Sequence, residues 1–172
     1  MIPPLGPLHK VYYTFKSAGV EVALGGSGLL YSLGLIDTVR DWDLTTDATT
    51  DHVMAALGAL PWAQAPTGDQ AYATACRLHI TPDGADIDLM AGFAIRCESG
   101  VVRLPTIVCG ALEGVPVGSP EVWAVAYWLM GRHPKADLLN AYIRRQGFRS
   151  EIQAIMLAQP LPATTRDAVA SW

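Results

Sequence analysis

Asp41 and Asp43 stand two residues apart in Arg40-Asp41-Trp42-Asp43-Leu44-Thr45-Thr46. Read as a strand, this stretch puts both carboxylates and Thr45 on one face, with Trp42 and Leu44 on the other. Unpaired, the two acids repel and raise each other's pKa. A hard divalent cation such as Mg²⁺ relieves that cost, because it prefers carboxylate oxygens and keeps open positions for phosphate. Taken alone, the pair has a plainer account as two acids on a solvated strand face.

Upstream, Leu24-Gly25-Gly26-Ser27-Gly28 sharpens the reading. A strand that ends in Gly-Gly-Ser and opens a helix offers an anion free backbone N–H groups, a hydroxyl and a positive dipole end. Gly25 and Gly26 let a phosphate approach the backbone closely. Arg40 either meets a phosphate or pairs with Asp41 or Asp37. The glycines do not follow the Rossmann spacing, no Walker lysine follows them, and Ser27 lacks the Gly-x-Ser-x-Gly elbow of a hydrolase.

These residues need elements to position them. After an extended, proline-rich start (residues 1–7), apolar spacing predicts a helix at 9–18 and a central strand at 20–24. A short helix at 28–33 and the strand at 40–46 follow. Thr49 or Thr50 caps a helix at 51–60, and residues 61–69 read as a loop. Strands at 73–80 and 85–90 form a hairpin across Thr81-Pro82-Asp83-Gly84. Asp86 and Asp88 share one face of the return strand. Another hairpin spans 93–104, and 106–117 holds one more short strand. Ser119-Pro120-Glu121 starts a helix that runs to Met130, followed by helices at 135–146 and 151–158, the last capped by Ser150 and trailed by a polar tail. The fold class is therefore α/β or α+β, with a mixed sheet flanked by helices. Residues 1–118 form its core, and 119–172 are C-terminal helices packed on that core as part of one domain.

Composition sets outer bounds. The chain has 172 residues, 51% hydrophobic and 16% charged, which suits one domain with a sizeable core. A net charge of −4 argues against a dedicated nucleic-acid binder. Cys76, Cys97 and Cys109 lack metal-ligand or disulfide spacing and read as reduced thiols of a cytoplasmic protein. No signal peptide or membrane-spanning stretch is expected. His9, His52, His79 and His133 are scattered, and none is assigned to a metal. Trp123, Tyr127 and Met130 recur at helical spacing as core or interface residues, and the apolar run they belong to leaves room for a homodimer. Arg144, Arg145 and Arg149 suit a helix C-terminus.

Leu24-Gly25-Gly26-Ser27, a short helix, and Arg40-Asp41-Trp42-Asp43-Leu44 together resemble the signature of the DNA polymerase beta-like nucleotidyltransferase superfamily. Asp43-Leu44-Thr45-Thr46-Asp47-Ala48 looks like the head domain of CCA-adding enzymes and poly(A) polymerases. Asp88-Leu89-Met90-Ala91-Gly92-Phe93 resembles the strand carrying the third acid in small nucleotidyltransferases and AbiE-type toxins. The resemblance implies two Mg²⁺ ions held by Asp41, Asp43 and Asp88 against an incoming NTP, with in-line attack by an acceptor hydroxyl on the α-phosphate. Asp86 competes with Asp88 for the third place. Gly25, Gly26 and Ser27 would hold the β- and γ-phosphates, and Lys135 is a candidate for the triphosphate. Leu29 and Leu30 stand where CCA-adding enzymes carry Arg-Asp, and the chain lacks their long helical neck, so the expected acceptor is a small molecule or a protein hydroxyl. The alternatives are a catalytically silent nucleotide- or partner-binding domain of the same fold, and the toxin of an AbiE-like toxin–antitoxin pair.

Overall fold

A computed structural model describes residues 1–65 and 71–172. The last part of the loop expected at 61–69 thus lies outside the described residues. The elements in chain order begin α1 (Leu5–Ser17), β1 (Ala23–Leu24), α2 (Gly26–Ser32), β2 (Trp42–Thr46), α3 (Thr50–Ala56) and β3 (Trp62–Gln64). Then follow β4 (Cys76–Ile80), β5 (Ile87–Ala91), β6 (Ala94–Cys97), β7 (Gly100–Arg103), β8 (Val108–Leu112) and β9 (Val115–Gly118). The chain closes with α4 (Pro120–Leu129), α5 (His133–Gln146), α6 (Ser150–Leu157) and α7 (Ala163–Ala170). The architecture is α/β, with a mixed seven-stranded sheet ordered β3-β4-β5-β2-β1-β9-β8 and a separate β6–β7 hairpin.

The centre of the sheet positions the chemistry. β2 pairs with β5 in parallel and with β1 antiparallel, while β4 pairs antiparallel with β5. Alternation then sorts the side chains. Trp42, Leu44, Leu78, Ile80, Ile87 and Leu89 are buried on one face. Asp43, Arg77 and Asp88 project from the other face into a cleft, with His79 on that face beside Asp88. The Trp42 indole N–H also donates to the Pro4 carbonyl at 3.4 Å, tying the sheet to the segment that enters α1.

Several boundaries differ from the sequence reading for identifiable reasons. α1 begins at Leu5 because Pro7 falls in the first turn, where a missing N–H costs no helical bond. Residues 106–117 hold two strands rather than one. Glu113 and Gly114 turn the chain at φ 47° and 83°, and Pro116 sits inside β9, where a proline argues against a strand. β3 lies within the expected loop; it is an edge strand exposed at every position, so no alternation marks it. The tail after Pro162 is helical, as α7. The cap of α6 falls on Arg149 rather than Ser150, whose hydroxyl turns to Glu151 instead. Thr49 and Ser119 do cap α3 and α4 through their side chains.

α4 is buried from Glu121 to Tyr127 by its own chain, so its apolar run needs no second copy to cover it. Cys76, Cys97 and Cys109 are free thiols. Among the described residues, no helix is long and apolar enough to cross a membrane.

Candidate active site

The parallel ladder between β2 and β5 sets Asp43 directly opposite Asp88. Asp41 precedes Asp43 on the same face, and both belong to the wall of a cleft of about 980 Å³. The turn from β1 into α2 closes on the other side of β2. The Gly25 backbone N–H donates to the Asp43 carbonyl at 2.8 Å, which fixes that turn against the acid strand. Gly26 has φ 54°, and a Cβ added there would enter the Asp43 carboxylate. A Cβ at Gly25 would enter the Trp123 ring. Both glycines are thus required by space, and Gly26 by backbone conformation as well. Ser27 is 8% exposed and lines the same cleft.

Asp43 carries the electrostatic cost of this arrangement. Burial pushes its pKa from 3.8 up to about 7, with the charges of Asp41 and Asp88 adding to the rise and Lys135 and Arg132 opposing it. Asp86 also lines the cleft, but its place is the loop edge ahead of β5, where its carbonyl accepts from the Trp42 N–H at 3.3 Å. Its side chain is 67% exposed, against 41% for Asp88.

Two basic residues reach the cleft through the α4–α5 turn. Gly131, at φ 69°, reverses the chain after α4. The turn delivers Arg132 at the α5 cap and Lys135 in its first turn to the cleft wall. Lys135 Nζ lies 5.4 Å from the centre of the Tyr127 ring. Its pKa is lowered by burial and by Arg132, against the pull of Asp43 and Asp41. Neither Arg132 nor Lys135 makes an ion pair among the described residues. Arg40 is exposed at the rim.

His79 is a site residue that the sequence reading set aside. It stands opposite Asp88 on β4, and its Nδ1 donates to Asp88 Oδ1 at 2.9 Å. Its Nε2 lies 3.3 Å from Asp86 Oδ1, so one imidazole bridges both acids. The hydrogen bond to Asp88 raises the His79 pKa above 6.5 against the opposing effect of burial, and both acids' charges reinforce the rise. The signal was present in the hairpin: the Thr81–Gly84 turn sets a register that faces His79 with Asp88. Tyr127 was legible only as core. It is 1% exposed, yet its hydroxyl is a buried atom without a hydrogen-bond partner among the described residues, and burial raises its pKa.

The donor set is all oxygen on the sheet face, which suits Mg²⁺. Among the described residues, no three His, Cys, Asp or Glu side chains form a ready-made cation cage. The geometry supplies a reason. Asp88 is turned toward His79, and three converging carboxylates without a counter-charge would repel. The residues fit the ion as oxygen donors, given a rotation of Asp88 away from His79.

No protein-family model and no curated protein matches the chain. Solved structures do. A candidate nucleotidyltransferase from Thermotoga maritima aligns with a TM-score of 0.58 and 22% identity, over 84% of this chain and 96% of that one. The antibiotic-resistance factor ANT(2'')-Ia aligns with a TM-score of 0.56 and 14% identity, over 97% and 91% of the two chains. The chain has a nucleotidyltransferase-like fold. ANT(2'')-Ia in complex with adenylyl-2''-tobramycin gives a TM-score of 0.55 at 15% identity, over 95% of both chains. The nucleotidyltransferase-like fold thus spans nearly the whole of this chain, including the C-terminal helices that carry Arg132 and Lys135.

Proposed function

We propose that this protein is a Mg²⁺-dependent nucleotidyltransferase that moves a nucleoside monophosphate from an NTP to a hydroxyl of a small molecule or protein. One observation carries the reading. The fold sets Asp43 in register with Asp88, adds Asp41 on the same face, and ties the Gly25–Ser27 turn to Asp43 through a backbone hydrogen bond. The neighbouring structures, nucleotidyltransferases by description, support it.

Asp41, Asp43 and Asp88 would hold the metal, which supplies charge neutralisation for the attacking and leaving oxygens. Gly26 and Ser27 receive the phosphates through backbone N–H groups and the Ser27 hydroxyl. Lys135 and Arg132 offer unpaired cations to the same polyphosphate. The acceptor oxygen forms a bond to the α-phosphorus, the bridge between the α- and β-phosphates breaks, and pyrophosphate leaves. The hydroxyl proton would pass to the Asp88 carboxylate, which His79 holds in place until the metal binds. Asp88 rather than Asp86 takes the third position in this reading, because it faces Asp43 and feeds its pKa rise.

Pyrophosphate release with Mg²⁺ and each of ATP, GTP, CTP and UTP tests the proposal. Asp43→Ala and Asp88→Asn should each lose at least 100-fold in rate, and Asp86→Asn less than 5-fold. Full turnover in Asp43→Ala would end the metal assignment. The His79–Asp88 hydrogen bond favours one second reading, a catalytically silent nucleotide-binding domain whose third acid stays engaged. NTP binding by calorimetry without pyrophosphate release would establish it.

A further inference from the structure

Strand order divides the cleft floor. Along the sheet come the Gly25–Ser27 turn after β1, then Asp43 on β2, Asp88 on β5, and finally His79 and Arg77 on β4. If nucleotide phosphates lie over the glycine turn, as the proposed function holds, the acceptor lies over β5 and β4. The charges in that half are nearly all engaged. Asp86 and Asp88 both meet His79, and Asp83 is paired with Lys10 at 3.1 Å. Arg77 is the exception. It shares the cleft face of β4 with His79, two residues away, and lines the cleft half-buried. Its guanidinium lies 4.0 Å from the centre of the Tyr72 ring. Among the described residues it makes no ion pair and no side-chain hydrogen bond.

Stacking fixes the plane of a guanidinium and leaves its edge free. That edge carries N–H donors in a fork that matches a carboxylate or phosphate in two parallel bonds. A half-buried cation without a counter-charge is an electrostatic vacancy that an anion fills. Beside it, Tyr72 stacks on Phe93 with ring centres 6.3 Å apart, an aromatic wall for an apolar portion of a ligand.

We propose that Arg77 selects the acceptor: a hydroxyl compound carrying an anionic oxygen group, carboxylate or phosphate, that pairs with the guanidinium while the hydroxyl sits at Asp88. Arg77 and Asp88 are diagonal neighbours across the β4–β5 ladder, so hydroxyl and anion should lie roughly 7–8 Å apart. The inference rests on the nucleotidyl-transfer reading of the cleft.

The test is a screen of hydroxyl compounds in three size-matched sets, anionic (hydroxy acids and sugar phosphates), neutral (polyols) and cationic (amino alcohols and amino sugars). It uses the full chain with Mg²⁺ and the four NTPs, read by product mass and by ligand-observed NMR. Turnover or binding should concentrate in the anionic set, and hydroxy acids against sugar phosphates decide which anion is preferred. Arg77→Met should lower kcat/KM for those acceptors 10- to 100-fold with the KM for NTP unchanged within 2-fold, and Arg77→Lys should restore part of the loss. A preference for neutral or cationic compounds, an effect of Arg77→Met on the NTP alone, or silence of all three sets while NTP still binds would overturn the acceptor assignment and leave the nucleotide site standing. Failure of the wild type to bind any NTP would instead remove the underlying reading.

Discussion

Replacing Asp43 with asparagine removes the acid whose ionisation Asp41 and Asp88 both oppose. The folded pKa of Asp43 is about 7, against an ordinary 3.8. Below pH 3.8 both folded and unfolded chains hold the proton, and the group contributes its full stability. Between 3.8 and about 7 the unfolded chain releases the proton while the folded chain keeps it, so stability falls as pH rises. Above about 7 both forms are ionised and the loss is complete. At about 1.4 kcal/mol for each decade, the wild type should lose up to about 4 kcal/mol across this window. That figure is a ceiling, because Asp43 is partly open to the cleft and water screens part of the repulsion.

Asp43→Asn keeps the size and loses the titration. The difference between wild type and variant in urea unfolding should therefore be smallest near pH 4 and grow toward pH 8, with the variant more stable at the alkaline end. His79, whose raised pKa also lends stability below 6.5 that is lost as pH rises, contributes to both curves and cancels. Mg²⁺ should act in the opposite sense. It favours the ionised Asp43 and should recover about 2–3 kcal/mol of wild-type stability near 100-fold saturation, with no such gain in the variant. Equal pH curves for the two proteins, or equal protection by Mg²⁺, would refute the view that Asp43 is a strained acid awaiting a cation.

Three further outcomes follow from single contacts. Gly26→Ala should cost at least about 2 kcal/mol more in urea unfolding than Gly34→Ala, because both glycines have positive φ but only the first would meet a neighbour, the Asp43 carboxylate. Tyr127→Phe should raise apo stability by about 1 kcal/mol, since it deletes a buried hydroxyl without a partner; a loss of more than that amount would reveal a hydrogen bond the fold does not show. Lys135→Met should weaken NTP binding 10-fold or more in calorimetry while leaving the urea midpoint within a few tenths of a molar, and unchanged affinity would remove Lys135 from the nucleotide site.

Much of the site was legible because it is local. Asp41 and Asp43 alternate with Trp42 and Leu44 on one strand, and the glycine turn announces itself by composition. Asp88 was harder, because its partnership with Asp43 depends on parallel pairing of β2 and β5 across a long connection, which periodicity does not encode. Family resemblance supplied it, and the ladder sets Asp88 opposite Asp43. β8 and β9 were merged because Pro116 and the Glu113–Gly114 turn mask a strand pair. α7 was missed because Pro160 and Pro162 read as a full stop, whereas Pro162 serves as the cap of a new helix. His79 and Arg77 were invisible as site residues because each looks like an ordinary polar position on a half-buried strand.

The placement of His79 and Arg77 explains why the site belongs to this sheet and not to its acids alone. β5 presents Asp88 between two unlike neighbours, Asp43 on one side and His79 on the other. The first neighbour raises the cost of ionisation at the site, and the second supplies a donor that holds Asp88 in place without a metal. In the proposed reading, a cation held by Asp41, Asp43 and Asp88 would draw Asp88 from His79, making cation binding and release of the imidazole one event. The imidazole then keeps Asp86, 3.3 Å from its Nε2, as a partner and loses the hydrogen bond that raises its pKa most. In the proposed reading Arg77 therefore faces the acceptor alone before and after the cation binds, so the preference for an anionic acceptor should not depend on loading the nucleotide first.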